Sequence, residues 1–256
     1  MSHVNSAKAL SIGGMTWPEV DARLANGFDT VLVILGATEQ HGPHLTVATD
    51  GIIGEAIAYR VAGELGGTLV APLMPIGCSD EHQEFAGTIS LRHETLAAFI
   101  IDVCKSLGRQ GFRWIAVLSW HGGNDAALGL AEKTLKEVAS FHCWCQPQLD
   151  PGLAASRAAA EAVGIDPARA GAHAGHGETS LMLAISPDQV RTDRLEPGFI
   201  GDITEVWPVL TTKGLRPVTP TGILGDPRGA SGNDGRVYLD SYVCELVNRL
   251  RSWRGG

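Results

Sequence analysis

Apolar positions along this chain fall into two patterns, short continuous runs and longer stretches at helical spacing. Thr30-Val-Leu-Val-Ile-Leu35 is a continuous, largely β-branched run, which is how a strand buried on both faces reads. Thr68-Leu-Val-Ala71, ending at Pro72, and Trp114-Ile-Ala-Val-Leu-Ser119 repeat it. Helical stretches lie between. Thr16-Trp-Pro-Glu19 fits a capping box with proline in the first turn, so a short helix is expected from there to Gly27. A helix from near Asp50 to Leu65 should stop at Gly66-Gly67, and Thr95 to Leu107 has helical spacing closed by Gly108 and Gly111. Thr179-Ser-Leu-Met-Leu-Ala184 reads as another apolar helix. Strands alternating with helices predict a three-layer α/β/α fold on a mainly parallel central sheet, with right-handed crossovers.

Two stretches break the alternation. Residues 146–172, with Pro147, Pro151 and several alanines, read as a loop with a helical insertion. Residues 196–235 are rich in glycine and proline, carry Trp207, and read as a long loop region over the site. No internal repeat or low-complexity segment is visible, and the 256 residues are expected to form one domain.

The polar residues that follow the strand-like runs carry the chemistry. Glu39-Gln-His41 comes just after the first run, with Asp50 beyond the turn residues Gly42-Pro43-His44. Glu39 and His41 are two apart, so in an extended segment they leave on one face. His121 follows the third run in Trp120-His-Gly-Gly-Asn124, and His173-Ala-Gly-His-Gly-Glu178 supplies further donors. Carboxylate and imidazole without thiolate is the donor set of zinc, manganese or non-haem iron. These donors are too many for one tetrahedral ion, so two metals sharing a carboxylate, Asp50, is the economical reading. In open parallel sheets, ligands bind outside the carboxyl ends of the strands, where these residues fall. Gly122-Gly123 are expected to permit positive φ and close backbone approach, and Asn124 to cap the next helix. A dinucleotide site is rejected, because Gly175-His-Gly177-Glu-Thr-Ser180 lacks the final glycine and follows no clear strand.

Composition narrows the partners. A net charge of −8 argues against nucleic-acid backbones and anionic membranes. No apolar run approaches a membrane span, and Met1-Ser-His-Val-Asn5 lacks the pattern of a secretory signal. The five cysteines, Cys78, Cys104, Cys143, Cys145 and Cys244, show no zinc-ribbon spacing and suit reduced thiols in a cytoplasmic protein.

Four segments, in order, resemble the creatininase (creatinine amidohydrolase) family: Leu35-Gly-Ala-Thr-Glu-Gln-His-Gly-Pro-His-Leu45 with Asp50, Glu84-Phe-Ala-Gly-Thr-Ile-Ser-Leu91, His121-Gly-Gly-Asn124, and His173-Ala-Gly-His-Gly-Glu-Thr-Ser180. The resemblance implies that Glu39, Asp50 and His121 hold one metal, and His41 and Asp50 the other, with Asp50 bridging. Creatininase itself places a glutamate two residues after the third-motif histidine, where this chain has Gly123. Glu178 is the candidate that completes the second metal here, or serves as base. The departure weakens creatinine as substrate and leaves a dinuclear hydrolase intact. The resemblance also implies a homo-oligomer, commonly a hexamer.

The chemistry expected of two divalent ions, zinc or manganese and with iron also compatible, is attack of an activated water on an amide. His173 is the expected proton donor to the leaving nitrogen, and it matches the histidine that opens the same motif in creatininase. The substrate is expected to be a small-molecule amide, cyclic amide or formamide. Two other readings are a creatininase-type peptidase trimming a mycofactocin-type precursor peptide, and a non-catalytic metal-binding assembly protein. His82, Trp120 and Trp207 are candidates to line the substrate pocket. His44 either orients a ligand or decorates the turn, His93 and His142 read as incidental, and Ser119 and Ser180 make no convincing triad.

Overall fold

In the computed structural model, residues 9–146 and 149–255 are described, so Met1–Asn5 and Pro147 lie outside the described residues. Four parallel strands form one sheet, β1 (Thr30–Leu35), β2 (Thr68–Val70), β3 (Trp114–Ser119) and β4 (His142–Cys145), in the order β2-β1-β3-β4. Thr30 pairs with Thr68 on one side and Trp114 on the other. Every residue of β1 is buried, because side chains alternate between two covered faces. Val31, Val33 and Leu35 pack with Ile115 and Val117 into a core shared with α3 (His93–Arg109) and α4 (Asp125–Val138). Leu32 and Ile34 pack with Ala116 and Leu118 into the opposite core, against α2 (Thr49–Leu65), α7 (His176–Ile185) and α9 (Gly232–Gly255). The result is the expected three-layer α/β/α fold. The helix at Trp17–Ala25, α1, carries the expected capping box, with Pro18 in its first turn.

The strand order places the site. From β1 the chain crosses through α2 to β2, then returns through α3 to β3 on the other flank of β1. The loops leaving β1 and β3 therefore diverge at their carboxyl ends, the switch point at which open α/β sheets bind ligands. Gly36, just past β1, and Gly51, in the first turn of α2, meet backbone to backbone: a Cβ on Gly36 would lie 2.8 Å from the Gly51 Cα. That approach brings Asp50 to the end of β1.

One expectation requires correction. Residues 196–235 are not one long loop: they contain α8 (Ile203–Lys213) and the start of α9. Asp202 caps α8 by accepting from the Thr204 N–H at 2.9 Å, so the helix persists although Pro208 removes one internal hydrogen bond. The helical insertion expected within residues 146–172 is present as two helices, α5 (Leu149–Ala162) and α6 (Pro167–Ala170). The strand β4 has no β-branched residue and begins at an exposed histidine, so local pattern did not mark it. Its pairing with β3 through Trp114–His142 creates it. Among the described residues, no helix is long and apolar enough to cross a membrane.

Candidate metal centre

The loop after β1 turns back on itself at Gly42, whose φ is 64°, with His41 bridging to Leu45, and so presents Glu39 and His41. Asp50 stands in the first turn of α2, and His121 follows β3 directly. His173 lies in a short bridge to Leu224, its N–H donating to the Leu224 carbonyl. The next residue, Ala174, has φ 53°, a left-handed conformation that costs a non-glycine residue roughly 1 kcal/mol or more. It turns the chain into α7, and its N–H donates to Glu178 Oε2 at 2.6 Å. One strained residue thereby sets both His173 and Glu178 toward the site.

The donors gather in overlapping triplets. Potential ligand atoms of Glu39, Asp50 and His121 all lie within 4.8 Å of one another, as do those of His41, Asp50 and Glu178, and those of Glu39, His41 and His173. His41 Nε2 is 3.2 Å from Asp50 Oδ1 and 3.8 Å from Glu178 Oε2. His121 Nδ1 is 3.9 Å from Asp50 Oδ2, and His121 Nε2 is 3.3 Å from Glu39 Oε2. Backbone carbonyls fix the rings: His41 Nδ1–H donates to Glu39 O at 3.2 Å, and His121 Nε2–H to Cys78 O at 2.7 Å. The nitrogen left over on each ring faces Asp50, and it would offer a lone pair there once an ion displaced its proton, as histidine ligands to metals do.

These residues fit cations. Both carboxylate oxygens of Glu39 and Asp50 Oδ2 are buried without a hydrogen-bond partner. Leaving buried carboxylate oxygens unpaired costs several kcal/mol, roughly, and an ion removes that cost. The protonation pattern points the same way. Burial opposes charge on His41, but Asp50, Glu178 and Glu39 push it up to about 10, and Glu39 and Asp50 raise His121 well above the usual range. Burial, reinforced by the charge of Asp50, lifts Glu178 to about 7. Burial raises Asp50 too, with Glu39 adding to it. Burial would also raise Glu39, yet the facing His121, His82 and His173 hold it well below the usual carboxylate range. The cluster is short of positive charge, and histidines take up protons to supply it.

Gly122 and Gly123 do not adopt positive φ, contrary to expectation. Close approach is what requires Gly123: a Cβ there would lie 2.1 Å from the Cys78 carbonyl oxygen and 2.3 Å from His121 Nε2, so no side chain fits. Gly123→Ala is expected to destabilise the protein by about 1–3 kcal/mol and to displace His121, which a drop in melting temperature and weaker metal retention would reveal. Nor does Asn124 cap the following helix. Its Oδ1 accepts from Cys78 N at 2.9 Å and its Nδ2 donates to Gly36 O at 3.2 Å, tying the loops after β1 and β3 to the segment around Cys78.

His82 is buried beside the donors and orients them. Gln40 Nε2 donates to His82 Nδ1 at 2.9 Å and to Gly222 O at 3.0 Å, which leaves His82 Nε2–H facing Glu39 Oε1 at 3.4 Å. His173 Nε2–H donates to Gln40 O at 2.7 Å, so its Nδ1 lone pair faces the site, 3.6 Å from Glu39 Oε1. Burial, with His41 and His82 nearby, holds His173 well below the usual histidine range, hence neutral. His44 is structural: its Nε2 pairs with the Thr179 hydroxyl at 2.9 Å under full burial. Burial and the neighbouring His41 push it down to about 4. A histidine depressed in this way contributes stability that is complete above pH 6.5 and is lost as pH falls toward 4. Subtracting the metal-free His44→Gln stability curve from the metal-free wild-type curve should show that loss, on the order of 1–3 kcal/mol, between those limits. A pH-independent difference would refute it.

Asp50, His121, His173 and Glu178 line a cleft of about 600 Å³, and Glu39 and His41 are fully buried outside its lining. His82, Trp120 and Trp207 all line the cleft. Trp120 is held edge-to-face on Tyr242 with ring centroids 4.6 Å apart, whereas Trp207, on α8, is 41% exposed and stands at the mouth. His93, which read as incidental, also lines the cleft from the start of α3, while His142 stacks on Trp114 far from the donors. Sequence reasoning missed Gln40, Glu81 and Tyr242. Gln40 sits inside the motif that flagged its neighbours. Glu81 adjoins His82 in sequence, and its carboxylate lies 4.0 Å from His121 Nε2, raised by burial. Tyr242 arrives from the last helix with no local signal.

A family model described as creatinine amidohydrolase, Creatininase, matches residues 13–250. The chain belongs to the creatininase family. Among the relatives of this creatininase-family hydrolase is the mycofactocin precursor peptide peptidase of Mycobacterium ulcerans, 37% identical over 243 residues, 92% of this chain and 90% of the relative. Another is the creatinine amidohydrolase of Pseudomonas putida, 29% identical over 263 residues, 96% and 97% of the two chains. Solved creatininases share the fold of this family member: a manganese form at TM-score 0.73 and 28% identity, covering 95% of this chain and 98% of the other, and a zinc–zinc form of a mutant at TM-score 0.75 and 28% identity, covering 95% and 97%.

Proposed function

We propose that this creatininase-family protein hydrolyses an amide C–N bond with two divalent ions bound on either side of Asp50, and that the bond is a peptide bond. The observation that carries this is the sharing of Asp50, which lines the cleft, between two donor triplets. Glu39, Asp50 and His121 are the proposed ligands of one ion, and His41, Asp50 and Glu178 of the other. Zinc and manganese suit these donors, and iron is compatible with them. When bound, such ions polarise a carbonyl and make a coordinated water acidic near neutrality.

The protein's own groups do the rest. Glu178 takes the place of the acid that Gly123 cannot supply. His173 is neutral with a free Nδ1 lone pair, so it first accepts a proton from the attacking water and then returns it to the leaving nitrogen. This refines the expectation of a plain acid, since a histidine depressed by burial holds no proton in reserve. His82 and Gln40 hold Glu39 and His173 in place.

A peptide is favoured by size and by relatives. A cleft of about 600 Å³ falls within the range, roughly 300–1,000 Å³, that encloses drug-sized ligands, and one small ring would leave most of it empty. Ile203, Trp207 and Leu210 of α8 add an apolar wall beyond the donors. Relatives named as precursor peptide peptidases are 34% and 37% identical over about nine-tenths of each chain. The second reading is a small cyclic amide or formamide, favoured by the 29% identity with a creatinine amidohydrolase. We further propose a cytoplasmic homo-oligomer, a hexamer by family analogy. Light scattering that shows a monomer at micromolar concentration would remove the oligomer.

The test is turnover by the zinc- or manganese-loaded protein over short peptides, lactams and formamides, alongside elemental analysis. Close to two ions per chain and selective peptide cleavage are expected. Turnover of lactams or formamides alone would establish the second reading. Metal binding without any turnover would favour an assembly protein, and no bound metal with no response to either ion would end the proposal.

A further inference from the structure

The segment that carries His173 is gripped from behind by a buried charge that the proposed chemistry does not use. Residues 169–173 and 222–226 run antiparallel. Leu224 N–H donates to His173 O at 2.8 Å, Ala172 N–H to Leu224 O at 2.9 Å, and Asp226 N–H to Arg169 O at 3.0 Å. Glycines allow the approach: a Cβ on Gly171 would lie 2.0 Å from Leu224 O, and one on Gly225 2.9 Å from the Gly171 Cα. Bare backbones meet there, so no side chains interlock to set the register. Asp226 sets it at the end of the ladder. Its buried carboxylate accepts from Arg228 Nε–H and Nη2–H, both at 2.9 Å, in a fork, and from the Arg228 backbone N–H at 3.1 Å. Arg169 Nε stands 3.4 Å from Asp226 Oδ2, and Arg169 Nη2–H donates to Arg228 O at 2.9 Å. None of these three residues lines the cleft.

We propose that Asp226 is a positioning residue for proton transfer by His173, acting through the backbone ladder that fixes where the imidazole stands. The inference rests on the reading of His173 as the proton-transfer group. Ala174 is what demands such a clamp, because a left-handed φ of 53° persists only where the surroundings over-determine it. On one side of Ala174 is the ladder. On the other is α7, packed on α9 through Leu181, Met182, Val243 and Leu246. The same strip also orients the ring: Gly222 O accepts from Gln40 Nε2 at 3.0 Å, and Gln40 O accepts from His173 Nε2–H at 2.7 Å. Backbone and ring of His173 are thus both referenced to residues 222–226. A buried ion pair adds little stability over an apolar pair of similar volume, but a forked carboxylate–guanidinium contact admits one geometry. Geometry is what Asp226 contributes.

Two substitutions loosen the grip in different ways. Asp226→Asn keeps the shape but replaces one acceptor oxygen by an NH2 donor, which meets the N–H groups of the arginines head-on. Arg228→Lys keeps the charge, yet an ammonium cannot make the fork. The Arg228 side chain is largely exposed, so this second change leaves the core as it is. Glu178 is carried by α7, whose packing on α9 neither change touches, so both variants should keep their ions.

Wild type and variants, loaded with zinc or manganese, are compared on two short peptide amides with the same acyl part, a nitroanilide with an acidic leaving group and an alkylamide with a poor one. Should the protein turn over formamides instead, a nitroformanilide and an N-alkylformamide make the pair. Asp226→Asn should match wild type in metal content and KM. Its kcat should fall by roughly ten- to hundredfold on the alkylamide, the cost of a misplaced group, and by much less on the nitroanilide. Arg228→Lys should show the same pattern at smaller size. A loss of folded protein would lower both substrates alike. Added to His173→Ala, Asp226→Asn should cost nothing further, since both act on one step. Hydrogen exchange read by mass spectrometry follows the ladder without turnover: peptides covering residues 170–175 and 222–226 should exchange faster in Asp226→Asn, with β1 and β3 unchanged. Unaltered exchange in the ladder, equal losses on the two substrates, or losses that add in the double variant would each overturn the proposal. A His173→Ala variant without leaving-group dependence would instead overturn the reading of His173 beneath it.

Discussion

Asp50→Ala is expected to strip both ions from the protein and to abolish turnover, whereas His41→Ala should keep one ion. Asp50 belongs to two of the donor triplets, with His41 Nε2 3.2 Å from Oδ1 and His121 Nδ1 3.9 Å from Oδ2. Removing it takes a carboxylate from each proposed site and leaves Glu39 buried. The loss of affinity should exceed, for both ions, the roughly ten- to hundredfold that a supporting group around a ligand is worth. His41 belongs to the site with Glu178, so the triplet of Glu39, Asp50 and His121 should survive its truncation. Elemental analysis of the two variants after gel filtration gives the answer. Equal loss in both would show that Asp50 does not bridge. Thermal unfolding should be followed in parallel with and without added ion, since ion binding contributes to folding free energy.

The second large effect is at His173. His173→Ala should retain both ions and lose on the order of a hundred- to ten-thousandfold in kcat, the usual worth of a positioned proton-transfer group. The deficit should shrink for substrates whose leaving amine is already acidic, because such a group departs without a proton. Glu178→Gln should behave differently, losing metal affinity along with rate, since its Oε2 lies 3.8 Å from His41 Nε2 in the triplet that contains Asp50. Metal content and turnover, measured on both variants with a good and a poor leaving group, separate the two roles. The structure makes the reverse assignment concrete, because His173 shares a third triplet with Glu39 and His41. If His173→Ala sheds an ion and Glu178→Gln does not, His173 is the ligand and Glu178 the proton-transfer group.

Much of the site was legible because each donor lies immediately beyond a pattern that local physics imposes. Glu39 and His41 follow β1, His121 follows β3, and Asp50 opens α2 after a glycine-proline turn, so each was flagged by its position next to an apolar run. Residues whose role comes from elsewhere in the chain gave no such signal. Gln40 matters because Gly222 and His82 accept it, 182 and 42 positions away. Glu81 and Tyr242 reach the cleft from a short turn and from the last helix. Asn124 carries the ordinary signature of a helix cap, but Cys78 and Gly36 compete for its amide and win.

The sequence by itself determined the α/β class, the parallel strands β1, β2 and β3, and the chemical nature of the donors. It could do so because burial on both faces, helical spacing and turn residues are all written within a few positions of one another. Only the tertiary structure decided that Asp50 stands between two triplets, that Gly123 has no room for the acid a creatininase carries there, and that residues 203–213 form a helix along the cleft. It alone made β4 a strand. Each of these depends on distances between segments that a crossover brings together, and a chain records such distances in no local pattern.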